Sequence, residues 1–284
     1  MAFERSVRVI DNKMVEAVSG PMRLRIQAWK EGRPRIEPAK RAAEEAFGFL
    51  ERIAAQREIL SRPAPSIQED VTDELAVCMQ KSTLLIGDPD LTPMAAVAGT
   101  MADAVADRLC EQDLDRIIVE NGGDLSIRLA GKEDVQIGLR PRVESSHISH
   151  ILRLDSEQPS WGVTTSGFGG RSLTRGIASA VICVAERAGV ADAASTAIAN
   201  ACRLDDEKII QVPAETLDPD TDIPGIPVTL SLGDLSPETW QAAGRKGSAR
   251  AWQLIEQGIL QGTAIYIGGE MLVTGWLAER IRNY

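Results

Sequence analysis

Histidine is nearly absent: His147 and His150 are the only two in 284 residues. Their His-x-x-His spacing serves a metal poorly, because 147–154 alternates like a strand and residues three apart on a strand point to opposite faces. No Gly-x-Ser-x-Gly elbow accompanies them, so a hydrolytic serine triad has no support. The four cysteines (Cys78, Cys110, Cys183 and Cys202) form neither a Cys-x-x-Cys nor a zinc-finger spacing. Each lies in an apolar or helical stretch and reads as a small core residue. There is no Walker loop, and no Gly-x-Gly-x-x-Gly follows a strand. The longest near-continuous apolar run, 176–185, is far short of the ~20 residues that span a bilayer. Residues 1–5 carry no apolar signal core. Excess positive charge is also missing: 31 Lys and Arg stand against 41 Asp and Glu, a net charge of −10. That balance argues against a general nucleic-acid binder. The expectation is a cytoplasmic protein that uses neither a membrane nor a nucleic acid as partner.

What is present is ordinary globular material, 44% hydrophobic and 25% charged. A core of normal size can be buried without disulfide or metal staples. The length suits one domain over 1–284, read as two interlocked halves of about 1–140 and 141–284.

Residues 5–30 alternate around a Ser19-Gly20-Pro21 turn and read as a hairpin. Glu37-Pro38 opens a long helix with Ala42, Ala43, Ala46, Phe47, Leu50, Ile53 and Ala54 on one stripe. Residues 61–70, with Pro63 and Pro65, read as a loop. Thr92-Pro93 starts a second helix, built of small residues and suited to close packing. Strands are expected at 116–129, 135–139 and 147–154, then at 163–165 and 179–184 around a glycine-rich loop. A third small-residue helix covers 189–201. Residues 213–227 are acidic and proline-rich and read as a surface loop. A strand at 227–232, a helix at 237–257 and a hairpin turning at Gly268-Gly269 follow. Helices and antiparallel-type strands interleave without a βαβ rhythm, so the fold class is α+β. The segment 98–104 resembles 188–193, a hint of internal duplication.

Three segments carry chemistry. An apolar run ends in Asn121-Gly122-Gly123-Asp124. That is either a hairpin turn or a turn whose glycines admit a ligand to the backbone while Asn121 and Asp124 bond its polar edges. Asp192 and Thr196 are four apart on a helix and share a face. A carboxylate with a hydroxyl is a hard-oxygen pair suited to Mg²⁺, although Asp192 would also serve as a carboxylate favoured by the helix dipole. The loop 166–176 offers free backbone N–H groups, hydroxyls and two arginines, the chemistry of a phosphate cradle or equally of a mobile loop.

Taken in order, 95–107, 120–125, Thr165-Ser166-Gly167 and 191–196 resemble the ApbE-like superfamily. The likeness is closer to an uncharacterised (UPF-type) branch found in methanogens and methylotrophs. That branch shares Glu-Asn-Gly-Gly-Asp, Thr-Ser-Gly followed by Ser-Leu-x-x-Gly, and Ala-Asp-Ala-Ala-x-Thr-x-Ile-x-Asn. The resemblance covers 84–202 well and implies a tandem T-fold-like arrangement of antiparallel sheets with packed helices. It implies Mg²⁺ and FAD as cofactors, with Asp192 and Thr196 as the metal pair and a backbone carbonyl near 96–98 completing that site. Cofactor contacts fall to Asn121, Gly122, Gly123, Asp124, Thr165, Ser166 and Gly167, and the loop read as a phosphate cradle adds Arg171, Ser172 and Gly176. Two departures stand out. Flavin transferases of the family carry Lys-Gly where this chain has Ala98-Gly99, and a His-Ile-x-Asp-Pro-x-Thr-Gly segment where it has Ser172-Leu173-Thr174-Arg175-Gly176.

The reading is a Mg²⁺-dependent enzyme, of transferase or phosphoryl type, acting on a phosphate-bearing cofactor or nucleotide such as FAD. Flavin transfer itself is not implied, because the lysine and histidine are missing. Asp103 and Asp107 are the candidate bases. The alternatives are an enzyme of pterin-type one-carbon cofactor synthesis and a non-catalytic cofactor-binding protein. T-fold proteins usually assemble, so a homodimer is a further expectation.

Overall fold

The computed structural model describes residues 4–68, 71–142, 146–170 and 172–284. The N-terminal alternation makes two turns instead of one, giving β1 (Arg5–Ile10), β2 (Met14–Ser19) and β3 (Met22–Lys30). The additional turn holds Asp11 and Asn12 at φ 53° each, a left-handed pair that short polar side chains tolerate. A two-residue strand, β4 (Arg33–Pro34), leads into α1 (Ile36–Ala55). This helix buries Ala42, Ala43, Ala46, Phe47 and Ile53 as its periodicity predicts, while Ala54 is exposed. After α2 (Arg57–Leu60) comes α3 (Glu74–Ile86), a helix the apolar pattern does not announce. Its signals lie at its ends. The Asp73 carboxylate accepts from the N–H groups of Leu75 and Ala76 at 2.9 and 3.2 Å, and Gly87 closes it at φ 80°.

A 3₁₀ turn at Pro93–Ala96 enters α4 (Val97–Cys110). The remaining elements are β5 (Arg116–Asn121), β6 (Asp124–Leu129), β7 (Asp134–Leu139), β8 (His150–Asp155), β9 (Ser160–Ser166), β10 (Ala180–Ala185) and α5 (Ala188–Ala201). After these come β11 (Ile209–Pro213), β12 (Pro227–Leu232), α6 (Pro237–Glu256), β13 (Gly262–Ile267), β14 (Glu270–Gly275), α7 (Leu277–Arg280) and β15 (Ile281–Asn283). Among the described residues no helix is long and apolar enough to cross a membrane.

The fold is α+β with antiparallel pairing throughout its main sheet. That sheet runs β1-β2-β3-β5-β6-β9-β10-β13-β14, with β4 against β3; β7, β8 and β15 form a second sheet, and β11 with β12 a ribbon. One order occurs twice along the chain: two strands, packed helices, then a hairpin that pairs back on the second strand. It runs β2-β3, helices, β5-β6 and again β9-β10, helices, β13-β14, with β3·β5 and β10·β13 as equivalent pairings. The two runs join edge to edge at β6·β9. The sequence-based division near residue 140 falls in the β7–β8 excursion between them.

Helices cover one face of the main sheet, and the small sheet covers the opposite face of its centre. The alternation of β10 records this. Val181, Cys183 and Ala185 enter the helix-side core, whereas Ala180, Ile182 and Val184 pack against Leu152, Leu154 and Trp161. A strand buried on both faces reads as a continuous apolar run, which accounts for the longest such run in the sequence.

Candidate functional site

The two small-residue helices build the site by crossing at their N-termini. Neither α4 nor α5 has a side-chain cap of its own, so their first N–H groups need partners from elsewhere. Each takes an aspartate from the other. The Gly99 N–H of α4 donates to Asp192 of α5 at 3.0 Å, and the Gly189 N–H of α5 donates to Asp103 of α4 at 3.0 Å. The backbones approach closely enough that a Cβ on Gly99 would sit 2.2 Å from the Ala188 carbonyl oxygen. Gly99→Ala is therefore expected to lower stability by about 1–3 kcal/mol, as overpacking against rigid backbone does. Urea denaturation checks this, and an unchanged midpoint would show that the helices can part freely.

A two-lobed cleft opens above the α4 end of this crossing. One lobe, a cavity of about 310 Å³, is lined by Ala98, Asp124, Ser172, Arg175, Asp192, Thr196 and Asn200, together with Asp88, Asp90, Thr92 and Asp222. The other, of about 250 Å³, is lined by Met22, Leu50, Val97 and Met101 on its apolar side. Its polar side is formed by Asn121, Gly122, Asp124, Thr165, Ser166, Gly167 and Ser172. Val97, Ala98, Asp124 and Ser172 border both lobes. The sequence-derived segments around 98, 121–124, 165–172 and 192–196 thus meet at one place.

Each part has a local cause. Gly122 and Gly123, at φ 68° and 114°, make the two-residue turn that starts β6 at Asp124. Asn121 donates from Nδ2 to the Ala98 carbonyl at 3.2 Å, which ties the turn to α4. Asp124, 7% exposed, accepts from the Thr165 N–H at 3.1 Å. Asn200 accepts from the Arg175 N–H at 2.9 Å and steadies the loop below Ser172. Ser166 Oγ is buried without a partner among the described residues. Asp192 is half-buried and lines the polar lobe. Burial, followed by the neighbouring Asp124 carboxylate, pushes its pKa well above the usual carboxylate range, against the pull of the Gly99 and Ala98 N–H groups. Among the described residues it has no ion pair.

Other expected site residues lie elsewhere. Asp103 and Asp107 open into a separate cavity and are ion-paired to Arg128 and Arg187. Gly123 serves the turn, and a Cβ there would meet nothing within 4 Å. Gly176 packs against α5, where a Cβ would lie 1.9 Å from the Ala199 carbonyl oxygen. Arg171 lies outside the described residues. The acidic arms at 88–92 and 218–222 were not foreseen at the site. Arg175 pairs with Asp90 at 2.8 Å and Thr92 bonds Asp222, which closes the polar lobe. The only sequence signal for 218–222 was the acidity of a loop read as surface, and 88–91 carried no reading.

The family described as AbpE bacteria matches residues 7–273. A UPF0280 protein of Methanocaldococcus jannaschii is 33% identical over 186 residues, 63% of this chain and 74% of that protein. One from Methanococcus vannielii is 38% identical over 111 residues, 38% of this chain and 44% of the relative. The matches to the Methanococcus relatives span less than half the length of those proteins. Among solved structures, the apo form of the Pseudomonas stutzeri flavinyl transferase ApbE aligns with a TM-score of 0.50 at 14% identity, covering 96% of this chain and 95% of that one. At that identity the likeness is one of fold.

Proposed function

The chain belongs to the family described as AbpE bacteria, ApbE-like with a UPF0280 branch, and from that membership we propose that it is a Mg²⁺-dependent enzyme acting on a phosphate-bearing flavin-type cofactor such as FAD. The observation that supports this is the Asp192 carboxylate, which lines the polar lobe beside Asp124 and has no ion pair among the described residues. Repulsion from Asp124 and removal from water both disfavour its charge, and a divalent cation relieves both.

The residues fit the group. Asp192 and Thr196 are one turn apart on α5 and offer hard oxygens on one face. Asp124 borders the same lobe. The Ala98 carbonyl is at its edge, although Asn121 already uses one of its lone pairs. Among the described residues no three of His, Cys, Asp and Glu gather into a cage. A cation held here would keep positions for water and phosphate, as Mg²⁺ sites do. When bound, it would polarise a phosphoryl oxygen and neutralise charge developing there.

The remaining residues would bind and orient. Ser172 and Arg175 present a hydroxyl and a guanidinium to the polar lobe, where phosphates would lie. Met22, Leu50, Val97 and Met101 offer the neighbouring lobe an apolar wall for a planar ring, and the unpartnered Ser166 hydroxyl would bond its edge. The lobes suit a molecule that joins ring and phosphates. No lysine or histidine borders either lobe among the described residues, so transfer of flavin onto protein is not part of the proposal.

Two measurements test it. Small molecules released by denaturing the purified protein are identified by mass spectrometry, and FAD is titrated with and without Mg²⁺. The expected result is FAD or FMN in the released fraction and FAD binding that depends on Mg²⁺. A released pterin, or FAD binding indifferent to Mg²⁺, would sink the proposal.

A further inference from the structure

We propose that the α4–α5 crossing carries a second, pseudo-equivalent copy of the cation site, in which the guanidiniums of Arg128 and Arg187 stand where the first site takes a divalent cation. The equivalence rests on the cation reading of the Asp192 site.

The two ends of the crossing are built alike. At one end the N-terminal turn of α4 faces an oxygen pair four residues apart on α5, Asp192 and Thr196, across a cavity of about 310 Å³. At the other end the N-terminal turn of α5 faces an oxygen pair four residues apart on α4, Asp103 and Asp107, across a cavity of about 630 Å³. The first aspartate of each pair takes the glycine N–H of the opposite helix at the same 3.0 Å. The reciprocal bonds join the two segments 98–104 and 188–193, with Asp103 four residues after Gly99 and Asp192 three after Gly189.

Charge distinguishes the two ends. Arg128, on β6, places Nη2 3.1 Å from Asp103 and 2.7 Å from Asp107. Arg187, at the N-cap of α5, donates to both Asp107 oxygens at 3.0 and 2.5 Å and lies 3.3 Å from Asp103. Two guanidiniums thus neutralise two carboxylates, which is the charge that one divalent ion would supply. An unpartnered hydroxyl marks the place. Thr100 Oγ1, in a residue 4% exposed, borders this cavity and has no partner among the described residues. It is a hard oxygen with lone pairs suited to a cation's shell, and neither guanidinium bonds to it. The native chain accordingly takes one divalent cation, not two. Arg187 is the removable plug: it is 41% exposed on the cavity wall, whereas the Arg128 side chain is 10% exposed beneath it.

The test counts Mn²⁺ bound per chain by electron paramagnetic resonance, with circular dichroism to confirm folding. Wild type is expected to bind one Mn²⁺ and Arg187→Ala two. Arg187→Lys, which keeps a cation in place, should bind one, and Arg187→Ala with Asp103→Asn should return to one. One Mn²⁺ in both wild type and folded Arg187→Ala overturns the proposal. No Mn²⁺ in wild type but one in Arg187→Ala upholds this site and overturns the Asp192 reading instead, so the two failures are distinct. If Arg187→Ala does not fold, Arg187→Gln keeps the stem and removes the charge, and the same counts decide.

Discussion

Arg128→Ala is expected to lower the stability of the protein by about 3–5 kcal/mol, because it takes from the buried Asp103 carboxylate its nearest counter-ion. Arg128 is 8% exposed and Asp103 4%. The guanidinium also donates to Ser126 Oγ at 2.8 Å and to the Ile127 carbonyl at 3.0 Å, so its loss strips donors from a strand in the middle of the main sheet. Arg187 remains to hold Asp107, which is itself half-exposed, and lies 3.3 Å from Asp103, and this places the effect nearer the lower figure. The pH dependence has a definite sign. Burial pulls the Asp107 pKa up, but the Arg187 bond and the Arg128 charge outweigh it and hold the pKa below the usual range. A carboxylate with a depressed folded pKa contributes stability that is present above its unfolded pKa and is lost as pH falls through the folded value. The gap between wild type and variant should therefore be full at neutral pH and narrow in acid. Guanidinium denaturation at neutral and acid pH measures it. A gap that widened in acid would show that charge pairing is not what Arg128 contributes.

The same cluster shows what a sequence conceals. Asp103 and Asp107, four apart on one face of α4, are chemically indistinguishable on the page from a pair of bases. What the structure adds is their pairing with Arg128 on a distant strand and Arg187 at the start of another helix, and only the crossing brings these together. Asp192 was the reverse case. As an early-helix carboxylate it could have been serving the dipole of its own helix, whereas it bonds the N–H of the opposite one. Turn chemistry was legible, since Asn-Gly-Gly-Asp makes the hairpin its glycines suit and also borders the cleft. The helical stripe of α1, the small-residue helix α4 and the antiparallel α+β class were legible for the same local reason. The helix at 74–86 was missed because its apolar residues follow no clean stripe, and only Asp73 and Gly87 mark it. The acidic arm at 218–222 was missed because acidity in a loop reads as solvation until another wall faces it, and the short turn at 88–91 carried no motif of its own.

Asp192→Asn is expected to abolish the response to divalent cation without weakening the cation-free protein. The amide keeps an oxygen to accept the Gly99 N–H but carries no charge to hold a metal. In wild type, burial and the Asp124 carboxylate raise the folded pKa of Asp192. A raised acid pKa means that the folded state holds a proton the unfolded state has released, so stability falls as pH rises from the ordinary carboxylate range through the folded value. Asparagine removes that penalty, and the cation-free variant should melt no lower than wild type at neutral pH. Mg²⁺ at about 100 times its Kd adds about 2.7 kcal/mol to a protein with one site. For a chain of this length that is a rise in Tm on the order of 5 °C, and the variant should show none of it. Differential scanning calorimetry of both proteins with and without Mg²⁺ gives the answer in one set of scans. If Mg²⁺ shifted the variant as far as wild type, the cation would lie elsewhere. A cation-free variant that melted well below wild type would show that the carboxylate is kept for the structure of the crossing rather than for a metal.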